Sequence, residues 1–176
     1  MQQAINEIQN SGYDVESVIG TNSTVERFLR GETGLLLQVK RLNANAKLPT
    51  KAHHNDAGYD LYSLNDVVFK PGQVTDIDTG IAIAIPDGYV GLIWDRSSMG
   101  KAGIKVMGGV IDAGYRGELK LKLMLLNTFE REWVKLPAGS KVAQILFQKV
   151  EDFPVIEVEQ LPESHRGEKG FGSSGR

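Results

Sequence analysis

Asp112 stands at the end of an apolar pair in GGVIDAGYRGEL, residues 108–119, and leads straight into a glycine turn and Tyr115. A carboxylate so placed can act as a general base toward a water, given hydrogen-bond reach and partial shelter from solvent. It can equally be a turn-former whose side chain holds Gly114, and these residues alone leave both roles open. Arg96, Ser97 and Ser98, in DRSS at 95–98, follow the strand-like YVGLIW. A guanidinium fork with two hydroxyls matches a phosphate, or makes an ordinary surface turn. Asp56 and Asp60 flank the glycine of NDAGYDLYS, 55–63, where Asp60 is either a structural strand-end residue or a holder of metal-bound water. His53, His54 and His165 lack zinc spacing, and the adjacent pair would point apart on a strand, so all three read as surface-loop residues.

The segment RGEKGFGSSGR, 166–176, carries four Gly, three basic residues and Phe171. Glycine lets backbone N–H groups approach phosphate oxygens, Arg166 supplies a fork, Ser173 and Ser174 supply hydroxyls, and Phe171 offers a face for stacking a base. Ordering such a segment costs roughly 1–2 kcal/mol per residue, so it orders when a ligand supplies contacts, as a lid does; the alternative is a disordered terminus. Its Gly170-x-Gly172-x-x-Gly175 spacing is not a dinucleotide fingerprint, which must open a helix, and one residue follows it here. Gly167 to Gly172 fails as a phosphate loop for the same reason, and because Ser173 stands where Lys is required.

The elements that must position these groups are strands. Leu119, Leu121, Leu123 and Leu125 alternate with Lys120 and Lys122, a half-buried strand. Leu35, Leu37 and Val39 alternate, as do Ile77, Ile81, Ile83 and Ile85 with Thr79 among them. Turn signals separate the runs: KPGQ at 70, PDGY at 86, DAGY at 112 and LPAGS at 136. FPVIEVEQL, 153–161, reads as a last strand. Residues 1–33 differ. STVE at 23–26 has the form of a capping box, with Val25, Phe28 and Leu29 on one face and Gly31 as a stop, so a small helical extension is expected there.

At 176 residues, with 41% hydrophobic and 24% charged residues, the chain is long enough for one domain with a sizeable core. A net charge of −2 gives no general attraction to nucleic acid. The absence of Cys removes disulfide and thiolate chemistry. MQQAINEIQN lacks the basic start and apolar run of a signal peptide, and no apolar stretch has the length of a membrane span, so a cytoplasmic protein is expected.

Taken in order, AGYDLYS at 57, DRSSMG at 95, GGVIDAGYRGEL at 108, KVAQILFQ at 141 and RGEKGFGSSGR at 166 resemble the five motifs of the homotrimeric dUTPase family, over about residues 35–176. The resemblance implies an all-β, jelly-roll-like barrel or sandwich and hydrolysis of dUTP to dUMP and pyrophosphate. It implies a homotrimer with sites at subunit interfaces, and a division into extension (1–33), core (34–162) and glycine-rich lid (163–176). It further implies Asp112 as the base for in-line water attack on the α-phosphate and Tyr115 against the deoxyribose. Gly109, Val110 and Ile111 would read uracil, and Arg96, Ser97, Ser98 and Gln144 would contact phosphates. Phe171 would stack on the base, with Arg166, Gly172, Ser173 and Ser174 on the outer phosphates. Mg2+ would ride on the triphosphate and water, with Asp60 in its outer shell.

The strand after YRGE looks longer than usual for the family before Asn127. The related dCTP deaminases share features around RSS and the Ile-Asp turn, but they use a Glu on the following strand, where Lys120 and Lys122 stand here; Glu118 sits too close to the turn. A third reading is a nucleotide-binding regulatory module acting through residues 1–33.

Overall fold

In a computed structural model of the protein, residues 37–126 and 133–168 are described. β9 (Lys120–Leu125) shows the alternation directly: Leu121, Leu123 and Leu125 are 0–2% exposed, while Lys120 and Lys122 stay in solvent. The two lysines pair across the ladder with Asp78 (2.8 Å) and Asp76 (2.6 Å) of β4 (Val74–Asp78). One face is therefore driven inward by burial and the other is matched by opposite charge, which fixes the register against a one-residue slip.

β4, β9 and β7 (Ile104–Val106) form one antiparallel sheet. A second, which carries most of the chemistry-bearing residues, has the order β2 (Tyr59–Tyr62), β11 (Lys141–Lys149), β6 (Tyr89–Trp94), β8 (Val110–Ile111). Two ribbons complete the body: β1 (Gln38–Arg41) with β5 (Ile81–Ala84), and β10 (Val134–Leu136) with β3 (Val67–Phe69). All ladders are antiparallel, and the sheets share one core in which Leu61, Phe69, Ile81, Leu123, Val142 and Ile145 are 0–1% exposed. This is the all-β, jelly-roll-type architecture expected. Among the described residues the helical element is a single short one, α1 (Ser97–Lys101), and no helix is long and apolar enough to cross a membrane.

The four expected turns form, with Gly72, Gly88 and Gly139 at φ of 74–78° and Tyr115 N–H donating to the Asp112 carbonyl at 3.1 Å. Two expectations need correction. The isoleucine run from 77 to 85 is not one strand. It breaks at Thr79-Gly80, where Gly80 takes φ 68° and the chain passes from the β4 sheet to the β5 ribbon. Residues 153–161 form no strand: the described chain from 151 to 168 is without ladder partners, and Phe153, Val155, Ile156 and Leu161 are 76–96% exposed. A strand exists only by pairing, and this segment finds no partner in its own body. The helical extension at 1–33 lies outside the described residues, as does the segment after Leu126 that bears Asn127.

Candidate active site

Two clusters emerge. The first is built where β2, β11 and β6 run side by side. Asp60, Gln144 and Trp94 occupy one row across the three strands. Trp94 ends β6, and Asp95-Arg96 then leads into α1, which carries Ser97 and Ser98 exposed at its start. The short helix was not foreseen, because five residues are too few for a periodic signal.

Asp60 is only 9% exposed, and a carboxylate so buried needs charged partners. It has two: Arg96 Nε at 2.7 Å on one oxygen and Lys141 Nζ at 2.6 Å on the other. Arg96 also reaches the Ser98 hydroxyl at 3.3 Å. Lys141 was missed by sequence reasoning; it opens β11 and meets Asp60 only through the β2–β11 pairing. The hydrogen bond to Asp60 holds the Lys141 ammonium above its ordinary 10.5. The lysine's share of the pair's stabilisation is therefore fully present below that value and is lost as pH climbs past the raised one.

The Gln144 amide donates to the Asp95 carbonyl at 2.8 Å. Gly58, in AGYDLYS, leaves room for it: a Cβ there would lie 2.4 Å from Gln144 Oε1. Asp95, also unforeseen, holds the loop from the other side, accepting from Val106 N–H at 2.7 Å and pairing with Lys105.

The second cluster lies on β8 and the turn beyond it. Gly109, Val110 and Ile111 run antiparallel to β6, with Leu92 opposite Val110 and Gly91 opposite Ile111. Gly109 is required by space: a Cβ would meet the Ile93 carbonyl oxygen at 2.6 Å. Val110 is 67% exposed and Tyr115 46%, and Asp112 is exposed as well. The turn at 112–115 is closed by backbone, and among the described residues the Asp112 carboxylate takes no hydrogen bond or ion pair. The turn-former role for its side chain is thereby unsupported, and the group is left available for a ligand. Its own chain gives it little of the shelter expected of a base.

The clusters are apart. Asp112 falls at the level of Val90, four residues back along β6 from Trp94, roughly 13 Å at about 3.3 Å per residue. One chain thus brings Asp60, Arg96, Ser97, Ser98 and Gln144 together, and separately Gly109, Val110, Ile111, Asp112 and Tyr115. Arg166 is exposed in the bend at 165–168. Phe171, Gly172, Ser173 and Ser174 lie outside the described residues.

For a divalent cation, no group of three or more His, Asp or Glu side chains forms among the described residues. A carboxylate has about four acceptor sites. Asp60 uses two on Arg96 and Lys141, and those left over can accept a hydrogen bond from a metal-bound water. His53 and His54 engage their neighbours Asp56 (3.5 Å) and Asn55 (2.9 Å).

A family model described as dUTPase matches residues 44–175. The deoxyuridine 5'-triphosphate nucleotidohydrolases of Thermobifida fusca and Nocardia farcinica are 45% and 46% identical to this chain over 142 residues. Those matches span 79% of this chain and 78% and 85% of the relatives. The dUTPase of Staphylococcus bacteriophage 80alpha with dUPNHPP is 34% identical, with a TM-score of 0.71 over 80% of this chain and 99% of that one. An aspartate-to-asparagine variant of the dUTPase from S. aureus phage phi11, described as revealing the coordination of a structural Mg(II) ion, is 29% identical, with a TM-score of 0.64 over 72% and 98%. The matched span takes in both clusters and all of the strands that carry them, and the chain belongs to the dUTPase family.

Proposed function

We propose that the chain hydrolyses dUTP to dUMP and pyrophosphate as a homotrimer, each site joining the Arg96 cluster of one subunit to the Asp112 hairpin of another. This activity keeps uracil out of DNA and supplies dUMP for dTMP synthesis. The separation of the two clusters within one chain carries the reading: Asp112 cannot serve a phosphate held by its own Arg96. The segment 151–168, which joins no strand ladder and exposes Phe153, Val155, Ile156 and Leu161, supports a chain that completes itself on a neighbour.

In this reading Asp112 takes the proton of the water that attacks the α-phosphate. Arg96, Ser97, Ser98 and Gln144 hold phosphate oxygens. The backbone of Gly109, Val110 and Ile111 reads uracil, and Tyr115 packs on the deoxyribose. Arg166, Gly172, Ser173 and Ser174 close on the outer phosphates, with Phe171 on the base. Magnesium, carried on the triphosphate, supplies charge neutralisation, and Asp60 accepts a hydrogen bond from one of its waters. Deamination finds no support in the side chains: Lys120 and Lys122 are paired with Asp78 and Asp76, and Glu118 Oε1 accepts from Gly80 N–H at 2.9 Å.

Incubation with magnesium and, separately, dUTP, dCTP, dTTP and UTP tests the reading. Pyrophosphate from dUTP alone is the expected result. Ammonia from dCTP would move the protein to the deaminase branch, and dUTP binding without turnover would leave a nucleotide-binding regulatory module. A chain ending at Glu163 should melt at the same temperature as the full chain and lose dUTP turnover by on the order of a hundredfold, through poorer positioning. Unchanged turnover would remove the lid.

A further inference from the structure

We infer that Glu118 is a positioning residue that anchors Tyr115 and so sets the discrimination between deoxyribose and ribose, an inference that rests on the placement of Tyr115 against the sugar proposed above. The Tyr115 hydroxyl donates to the Glu118 carbonyl at 2.9 Å. The ring reaches it by lying over Gly117, where a Cβ would stand 2.5 Å from the hydroxyl oxygen and 2.7 Å from the ring carbon that bears it. Residue 117 must therefore be glycine for the ring to take this position.

Glu118 is in turn fastened to the body of the protein. Its Oε1 accepts the N–H of Gly80 at 2.9 Å, at the turn where β4 gives way to β5. That turn is buried and has little freedom: Gly80 sits at φ 68°, and a Cβ on it would lie 2.9 Å from Ala46 Cβ. Alongside, the Thr79 hydroxyl donates to the Leu119 carbonyl at 2.6 Å and Leu119 N–H donates to Ile81 at 2.8 Å. Lys120 Nζ stands 3.6 Å from the other Glu118 oxygen while bonded to Asp78.

The Tyr115 ring is thus carried at one end by the exposed turn at 112–115 and held at the other, through Glu118, by the core. The geometry matters for selectivity. An aromatic ring excludes a hydroxyl group only if it cannot recede, and a ring free at its hydroxyl end yields by a small rotation about χ1. Anchored at both ends, it becomes a wall.

The test is kcat/KM for dUTP and for UTP on the full-length wild type and on Glu118→Ala, Glu118→Gln and Tyr115→Phe, with melting temperatures alongside. Glu118→Ala should lower the dUTP-to-UTP ratio by at least about tenfold, chiefly by admitting UTP. Glu118→Gln keeps an oxygen for Gly80 N–H and should restore the ratio to within about threefold of wild type. Tyr115→Phe removes the hydroxyl bond with no change in the core and should lower the ratio as the alanine variant does. A ratio unmoved in Glu118→Ala, or no rescue by Gln, overturns the anchor. Should the alanine variant fail to fold, an unmoved ratio in Tyr115→Phe overturns it alone. A wild type that hydrolyses dUTP and UTP alike overturns both the anchor and the sugar-facing role of Tyr115, whereas a selective wild type with unmoved variants overturns the anchor only.

Discussion

Asp112→Asn is expected to lower kcat for dUTP by about 10²–10⁴, the range associated with a positioned general base, with little change in KM. The substitution is nearly isosteric and removes the proton acceptor. Its structural effect should be small, for two reasons visible in the molecule. The turn it opens is closed by the bond from Tyr115 N–H to the Asp112 backbone carbonyl, which asparagine keeps. The carboxylate itself holds nothing among the described residues, so no partner is orphaned by its loss. Steady-state kinetics with a melting curve separate the cases. A kcat within a few-fold of wild type would remove Asp112 from the chemistry, and a fall accompanied by a lower melting temperature would mean the turn had been disturbed.

Gly109→Ala is expected to have the next largest effect, for a reason of space rather than charge. The new methyl would stand 2.6 Å from the Ile93 carbonyl oxygen. That atom is backbone, held in an interior strand of the four-stranded sheet, and cannot turn aside as a side chain would. On the same rung Ile93 N–H donates to the Gly109 carbonyl at 2.7 Å, so the displaced element is β8 itself, with Val110, Ile111 and Asp112 upon it. Forcing a methyl into such a contact costs about 1–3 kcal/mol and moves the base by enough to lower kcat/KM on the order of a hundredfold. Gly108 next door differs: a Cβ there meets nothing within 4 Å, although its φ of 74° disfavours other residues. Kinetics and melting temperature both at wild-type values in Gly109→Ala would show that β8 does not need this close approach.

The strands that could be read from the chain are those with a local, two-sided signal. Leu119 to Leu125 alternates with lysines, and both faces meet what the pattern asks for: core on one side, aspartates on the other. Turns could be read for the same reason, since a glycine at positive φ is a local demand. The isoleucines from 77 to 85 misled because period two continues through Thr79-Gly80 by coincidence; the break is imposed by a change of sheet, which no neighbouring residue announces. FPVIEVEQL has strand composition without a strand, because pairing is a property of two segments and its own body offers none. In the site, the described motif residues were named from the sequence, and they fall into two groups. Their supports were not. Lys141 reaches Asp60 across β2–β11, and Glu118 reaches Gly80 across the barrel, and such contacts depend on register and topology alone.

The run from 151 to 168, outside every ladder, has a consequence for how damage in it would register. Phe153, Val155 and Ile156 leave at least three-quarters of their surface to solvent, so altering them changes the folding free energy of an isolated chain very little. In the trimer proposed above, the loss would fall on association, which obeys mass action. A substitution there would be silent in a concentrated solution and severe in a dilute one, and its severity in a cell would be set by how much of the protein the cell makes.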